Sequence, residues 1–549
     1  MQAENKHILV GMAWPYANGS LHLGHLAGLL PADILARYHR LKHDDVLFVS
    51  GSDCHGTPIS VKARQENIDP AEIAAKYHAE FKSCFESLGF SFDYYGQTTA
   101  PHHKELVQKI FLELYEKGLI YKKTEALTYC ETCQEFLPDR YVEGTCPKCG
   151  YEHARGDQCD KCGALLNPED LINPKCKTCG STPIKKDSEH FFLKLSAFEK
   201  EIRTWLATQT TWRTNALNIT KGFLEQGLRD RAITRDMTWG IEIPLEGYET
   251  KRIYVWFEAV CGYLTDSVEW AQQNKQNVDD WWDTKSPAWH YYVHGKDNVP
   301  FHSIIWPAIL MGYDKHLPNQ IVSSEYLTLE NEKFATSRNW AVWVPDYLSR
   351  YEADPLRYYI IANGPETHDA DFSWQQFVDR NNHELVGTYG NLVNRVLGFV
   401  DKNFAGSLET FEIDSEIKAK IEQTFKVSGE LIEEAKLRQA LQEIFQLAQF
   451  ANKYIDEKAP WQVFKTDPKA CQEILFQALN LIQNLAILLF PFVPYSSEKV
   501  FKTLSLDPKN LSWKYHKLQN IADLAKPEIL FTKIDPTVIE EEKARLGIK

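Results

Sequence analysis

A chain of 549 residues is too long for one ordinary hydrophobic core, so two to four packed units are expected. Hydrophobic residues at 44% and charged residues at 25% are ordinary globular values and exclude wholesale disorder. A formal charge of -14 argues against bulk attraction to nucleic acid; DNA is not expected as a partner, and any RNA contact must come from local patches and shaped pockets.

The opening residues, MQAENKHILVGMAW, lack the basic head and long apolar run of a signal peptide, so a cytoplasmic address is expected. His7-Ile8-Leu9-Val10 reads as a buried parallel strand, followed by a turn-rich stretch and helical periodicity from Leu21 to Arg40. A second buried strand from Asp45 to Ser50 leads into the polar cluster Gly51-Ser52-Asp53. Strand, helix, strand, with functional residues at strand ends, is the grammar of a doubly wound, Rossmann-like parallel sheet in an α/β domain. Between about Lys117 and Asp187 the chain turns rich in Cys, Gly and Lys and loses apolar periodicity, as an insertion would. Strand-like segments resume at Arg252-Ile253-Tyr254-Val255-Trp256 and His290-Tyr291-Tyr292-Val293, giving the sheet a second half. From about Asn381 to Thr503 the periodicity is almost wholly helical, as in Leu475, Leu479, Ile482, Leu485 and Leu489, predicting an all-α bundle. Its most apolar stretch is interrupted by Gln483 and Asn484 and ends in prolines, which suits a buried helix rather than a membrane span. The last stretch is charged and is expected to pack loosely.

Chemistry concentrates in Pro15-Tyr16-Ala17-Asn18-Gly19-Ser20-Leu21-His22-Leu23-Gly24-His25. Gly19 and Ser20 can form a tight turn that caps the following helix, whose N-terminal amides favour phosphate oxygens. His22 and His25, three apart, share a helical face and can donate hydrogen bonds to a phosphate as charge builds on it. Gly24 leaves room for a purine. A lone HxGH string more often marks two surface histidines. Here, however, a second signature, Lys333-Phe334-Ala335-Thr336-Ser337-Arg338, follows the second half of the sheet. The pair resembles the HIGH and KMSKS signatures of class I aminoacyl-tRNA synthetases. Thr336 stands where KMSKS has its second lysine, so Lys333 and Arg338 are expected to supply the charge, with Ser337 on the nucleotide.

The segment ILVGMAWPYANGSLHLGH is closest to the methionyl members of that family, and there is no room for the large editing insertion of the leucyl, isoleucyl and valyl ones. Further matches lie in GSDCHGTP, Tyr254-Val255-Trp256, Gly295-Lys296-Asp297, Phe301-His302-Ser303 and Trp306-Pro307-Ala308. The resemblance implies synthesis of methionyl-adenylate from methionine and ATP with Mg²⁺, then transfer to tRNA(Met). It implies that Asp53 pairs with the ammonium group, and that Trp14, Tyr16, Trp256, Ala259, Tyr263 and His302 line the methionine pocket. Trp14, Val260 and Asn298 depart from the commoner pattern. It further implies that Glu242 and Asp297 contact the ribose, with Gly295 close to the nucleotide.

Eight cysteines form four CxxC pairs, Cys130/Cys133, Cys146/Cys149, Cys159/Cys162 and Cys176/Cys179. Two pairs complete a tetrahedral thiolate site, so two structural zinc ions are expected, whereas a thioredoxin-like redox motif explains one CxxC and not four. Gly150, Gly163 and Gly180 follow three of the pairs and suit the knuckle turn. The resemblance favours one ion on the middle pairs and one on the outer pairs; sequential pairing is the alternative. Cys54, Cys84, Cys261 and Cys471 lack such spacing and read as buried thiols.

In the helical part Asn391 and Arg395 stand four apart, and Trp461 follows a helix start at Ala459-Pro460. These match the family's anticodon readers, and Trp, Asn and Arg suit stacking on and bonding to splayed bases. The resulting partition is 1–117 and 226–325 for the two catalytic halves, 118–225 for the zinc insertion, and 326–380 for the KFATS loop and linker. Residues 381–525 form the anticodon-binding domain and 526–549 the tail, in a chain expected to be monomeric.

Overall fold

The computed structural model describes residues 6–548 apart from 138, 157, 158, 160, 163, 165, 167, 520 and 523, so Gly163 of the knuckle pattern lies outside the described residues. Two compact units emerge: Met1–His103 with Lys200–Gln226 and Ala259–Lys549, and Lys104–Glu199 with Gly227–Glu258.

The first unit is built on five strands, β1 (His7–Met12), β2 (Asp45–Ser52), β3 (Tyr94–Gln97), β4 (Trp289–Gly295) and β5 (Gln320–Ser324). Their order is β5-β4-β1-β2-β3 and every pairing is parallel. β1 and β4 are adjacent, and the strand order runs outward from them in opposite directions. Their carboxyl ends therefore open a crevice at a topological switch point. Helix α1 (Leu23–Leu41) packs so closely over this edge that a Cβ on Gly28 would stand 3.2 Å from the Gly295 nitrogen. A buried ion pair pins the same helix. Arg357 meets Asp33 at 2.6 Å with both side chains sealed from solvent, and donates to the carbonyls of Leu88, Pro491 and Phe492. Burial alone would raise the Asp33 pKa, but Arg37 and Arg357 outweigh it and hold the carboxyl at about 2.

One strand expectation fails. Tyr254-Val255-Trp256 is not extended; the strand ends at Ile253 and α2 (Val255–Asn274) begins at once. The β-branched and aromatic run suggested a strand, but the twenty residues that continue from it bury a helical face carrying Phe257, Cys261 and Leu264.

The helical portion contains α3 (Asn391–Phe404), α4 (Ser415–Glu433), α5 (Leu437–Lys458) and α6 (Pro468–Leu489). Asp414 and Asp467 cap α4 and α6 by accepting first-turn amides. Among the described residues only α6 is long and apolar enough to cross a membrane, and most of it is buried within the fold. Its polar residues have a specific task. Asn484 bonds the His516 amide and carbonyl at 2.9 Å each, and Asn480 accepts from the Leu518 amide at 2.9 Å. They therefore satisfy the backbone of a crossing extended segment. The charged last stretch does not pack loosely: its helix Val538–Arg545 buries Ile539 and Glu542.

In the second unit the antiparallel strands Ile120–Cys130 and Ile184–Leu193 pair from Ile120–Leu193 to Tyr129–Ile184. The chain thus leaves this hairpin at Cys130 and re-enters it at Ile184. The intervening stretch has a small core of Leu137, Val142, Ala154, Leu166 and Leu171, completed by the buried thiols of Cys130, Cys146, Cys159 and Cys176.

Candidate active site and metal centres

At the crevice the first turn of α1 is capped in an unusual way. Ser20 does not cap the helix; His22 does. Its Nδ1 accepts the Gly24 N–H at 3.1 Å, while Nδ1 of His25 accepts the His22 N–H at 3.1 Å. An imidazole pair takes the place of the Ser and Glu of an ordinary capping box. Since each Nδ1 offers a lone pair, each ring carries its proton on Nε2, which leaves Nε2–H as a donor. Burial, then the neighbouring His25 ring, holds the His22 pKa at about 2, so the ring is neutral throughout the physiological range. The rings stack with centroids 3.8 Å apart. Gly24 is needed for this cap, because a Cβ there would stand 2.9 Å from His22 Cε1.

The second signature reaches the same place. Phe334 stacks on His22 at 4.8 Å and 10°. Leu23 donates to the Val342 carbonyl at 3.1 Å, and Val344 to the Leu21 carbonyl at 2.8 Å. Lys333, Thr336, Ser337 and Arg338 are all exposed. Arg338 approaches Glu332 only to 3.6 Å on the surface, an ion pair worth little, so its cation is free to turn toward a ligand. Phe334 and Trp343, which forms an isolated bridge with His22, were not among the candidates drawn from the sequence. An aromatic beside the loop lysine was the available signal for the first; nothing local marks the second.

Asp53 is buried beyond the end of β2, bridged to Tyr16 through the Asp53 N–H to Pro15 carbonyl bond of 2.9 Å and the Ala17 N–H to Asp53 carbonyl bond of 2.8 Å. Tyr263 of α2 donates its hydroxyl to His302 Nε2 at 2.8 Å, and His302 Nδ1–H donates to the Asn298 carbonyl at 2.9 Å. Burial lowers the His302 pKa to about 4, which leaves a neutral ring in an uncharged wall. Gly11 makes room for Tyr263, since a Cβ there would stand 2.9 Å from its ring. The Trp14 indole fills a slot between Gly51 and Gly262, where added Cβ atoms would stand 2.7 and 2.4 Å from the ring. Ala259 lies on α2, one helical turn before Tyr263. Gly295 ends β4, and Asp297, two residues on, accepts from the Tyr326 hydroxyl at 2.5 Å. Trp256 and Glu242 belong to the second unit, where Trp256 is exposed and Glu242 meets Lys104 at 2.6 Å.

The eight paired cysteines gather into two groups, Cys130, Cys133, Cys176, Cys179 and Cys146, Cys149, Cys159, Cys162. Four sulfurs each ~2.3 Å from a zinc ion lie about 3.8 Å apart. The closest cross-pair distances in the first group are 3.4 Å for Cys130–Cys179 and 3.8 Å for Cys133–Cys176. In the second they are 3.9 Å for Cys146–Cys162 and 3.6 Å for Cys149–Cys159. These separations are too long for disulfides and match tetrahedral thiolate sites, so both groups fit zinc. Nested pairing follows from topology: the hairpin that ends at Cys130 and restarts at Ile184 draws the outer pairs together. The four remaining cysteines are buried.

In the helical portion Asn391 opens α3 and Arg395 lies one turn on. The Arg395 guanidinium sits over the Trp461 ring at 4.9 Å and pairs with Asp456 at 2.7 Å. Trp461 is 37% exposed in the short helix Pro460–Val463.

Residues 8–397 match the family model described as tRNA synthetases class I (M), and residues 406–548 match that of the anticodon binding domain of methionyl tRNA ligase. The chain belongs to the class I tRNA synthetases (M). Its relatives include the methionine–tRNA ligases of Bacillus cereus (strain 03BB102) and Bacillus mycoides (strain KBAB4), each 52% identical over 544 residues, or 98% of this chain and 99% of the relative. The fold of this synthetase is similar to that of the Mycobacterium tuberculosis methionyl-tRNA synthetase solved with methionyl-adenylate, with a TM-score of 0.79 and 23% identity over 96% of this chain and 99% of that one.

Proposed function

We propose that this synthetase activates L-methionine with ATP and Mg²⁺ and transfers it to the 3′-terminal adenosine of initiator and elongator tRNA(Met). The observation that supports this most directly is the imidazole cap of α1, with two neutral rings whose free Nε2–H donors stand beside the second signature. In the first step a methionine carboxylate oxygen bonds to the α-phosphorus as the bond to pyrophosphate breaks. The Nε2–H groups of His22 and His25 stabilise the charge that builds on phosphate, and Lys333, Ser337 and Arg338 meet the departing pyrophosphate. In the second step the tRNA hydroxyl attacks the acyl carbon, loses its proton and expels AMP.

Asp53 holds the ammonium, while Trp14, Tyr16, Ala259, Tyr263 and His302 surround the thioether. Gly295 and Asp297 hold the nucleoside; Trp256 and Glu242 remain candidates on family resemblance. Asn391, Arg395 and Trp461 read the anticodon. Cys130, Cys133, Cys176 and Cys179 would hold one zinc ion, and Cys146, Cys149, Cys159 and Cys162 another, each in a structural role. The synthetase acts as a cytoplasmic monomer.

ATP–pyrophosphate exchange across a panel of amino acids tests the reading. Methionine alone should support rapid exchange, and zinc-loaded protein that releases no pyrophosphate with methionine overturns it. Trp461→Ala should cut aminoacylation of tRNA by roughly 10-fold or more, the scale of one lost base stack, with exchange unchanged. Equal losses in both assays would remove the anticodon assignment.

A further inference from the structure

The signature loop is gripped from a distant part of the chain. Asn339, directly after Arg338, sits in the left-handed region at φ 53 and bonds through both its backbone and its side chain. Its carbonyl accepts the Gly547 N–H at 3.0 Å, its side-chain amide donates to the Ile548 carbonyl, and its side-chain oxygen accepts the Trp343 indole N–H at 2.7 Å. Gly547 also lies against Trp340, where a Cβ would stand 3.8 Å from the ring.

This segment is itself anchored. Glu542, buried in the helix Val538–Arg545, accepts two N–H groups of Arg350 at 2.8 and 2.9 Å and the Tyr351 hydroxyl at 3.0 Å. Lys543 reaches Glu330, at the entry to the loop, at 3.5 Å. A bidentate carboxylate–guanidinium pair with a third donor is a stiff joint, and it adds to what already holds the Lys333–Arg338 stretch: the Thr328–Lys333 pairing, the Phe334 stack on His22 and the Ala335–Trp340 bridge. Left-handed backbone suits Asn, and here it turns both amide groups toward residues 547 and 548.

We propose that Asn339 is a positioning residue for the signature loop, and that residues 538–548, fastened by Glu542, brace it. The brace fixes the resting place of Arg338 and Lys333, and must yield or follow when the loop closes on the nucleotide. This rests on the catalytic reading of the loop given above.

The test uses the full chain with Asn339→Gly, which keeps the left-handed backbone accessible and removes only the side-chain bonds, and Glu542→Gln, which weakens the anchor from the far side. Trypsin cuts after Lys333 and Arg338 report loop opening in the native protein. Both variants should raise these two rates roughly three- to tenfold, the range of one or two lost hydrogen bonds, without speeding cleavage outside the loop and residues 538–548. They should also lower exchange kcat and leave the KM for methionine unchanged. Unchanged cleavage in both folded variants overturns the brace, and faster cleavage in Asn339→Gly alone reduces it to a local turn preference and overturns the role of residues 538–548. If Lys333→Ala and Arg338→Ala leave exchange intact, the catalytic reading of the loop falls, while the cleavage rates still decide the brace.

Discussion

The crevice of the parallel sheet and the cysteine-rich stretch solve opposite problems with opposite means. The crevice stands on strands whose residues are almost wholly buried, so its geometry is inherited from a large apolar core, and a helix cap aims its imidazoles. Among the described residues, the hydrophobic cluster of the cysteine-rich stretch holds five buried aliphatic side chains besides its four buried thiols, too few to hold a fold by hydrophobic burial. There the thiols are the core, and a metal held by them would supply the cohesion. In one region chemistry is a product of the fold; in the other the fold is a product of chemistry.

Metal removal is the strongest way to break that contrast. Structural zinc contributes on the order of 10 kcal/mol of folding free energy to a small site at neutral pH. Cys146→Ser or Cys159→Ser should therefore release one zinc equivalent, read by native mass spectrometry, and collapse amide-exchange protection around residues 142–176. The other ion, on Cys130, Cys133, Cys176 and Cys179, should be retained. Protection of β1 and β4 should persist. Loss of both ions from one substitution, or melting of the parallel sheet with them, would mean that the two regions do not stand on separate foundations.

The imidazole cap gives the next largest effect and sharpens the other side of the comparison. His22→Ala and His25→Ala each remove a donor and half of a reciprocal cap, so each should lower exchange kcat by about 100- to 1,000-fold, the usual loss for a transition-state donor. Zinc content should be unaffected. A much smaller loss in His25→Ala would leave that residue as a cap alone.

Legibility in the sequence followed the range of the forces involved. Apolar runs announced β1, β2 and β4 because buried parallel strands have little choice of composition. Tyr254-Val255-Trp256 misled for the same reason: three residues of strand propensity were overridden by the twenty-residue helix they begin. Thiol spacing announced two metal sites but left their partners open, since that choice is made by the long hairpin that ends at Cys130. Ser20 looked like a cap by residue type, yet His22 took the role because His25 could reciprocate three residues on. The grip of residues 547 and 548 on Asn339 has no local signature, and the charge of that stretch pointed toward loose packing. Contacts between segments two hundred residues apart leave no period or spacing to read.

Acid gives the smallest effect and separates the two regions by the groups that titrate. His302 has its pKa lowered by burial from 6.5 to about 4, so between those values the unfolded chain binds a proton that the folded crevice refuses. Its contribution is therefore full above pH 6.5 and is lost as pH falls toward 4, with a slope of at most about 1.4 kcal/mol per pH unit. His302→Gln removes that proton from the balance. In urea titrations that follow unfolding of the first unit, the stability gap between parent and variant should narrow steadily from pH 6.5 to 4. The thiol groups respond to the same acid by taking protons in place of metal, so zinc release follows the protein thiols and is identical in parent and variant. A gap that stays constant with pH would show that the His302 ring is charged or solvated in the folded crevice. The uncharged wall around His302, with the Tyr263 hydroxyl donating into the ring, would then have to be abandoned.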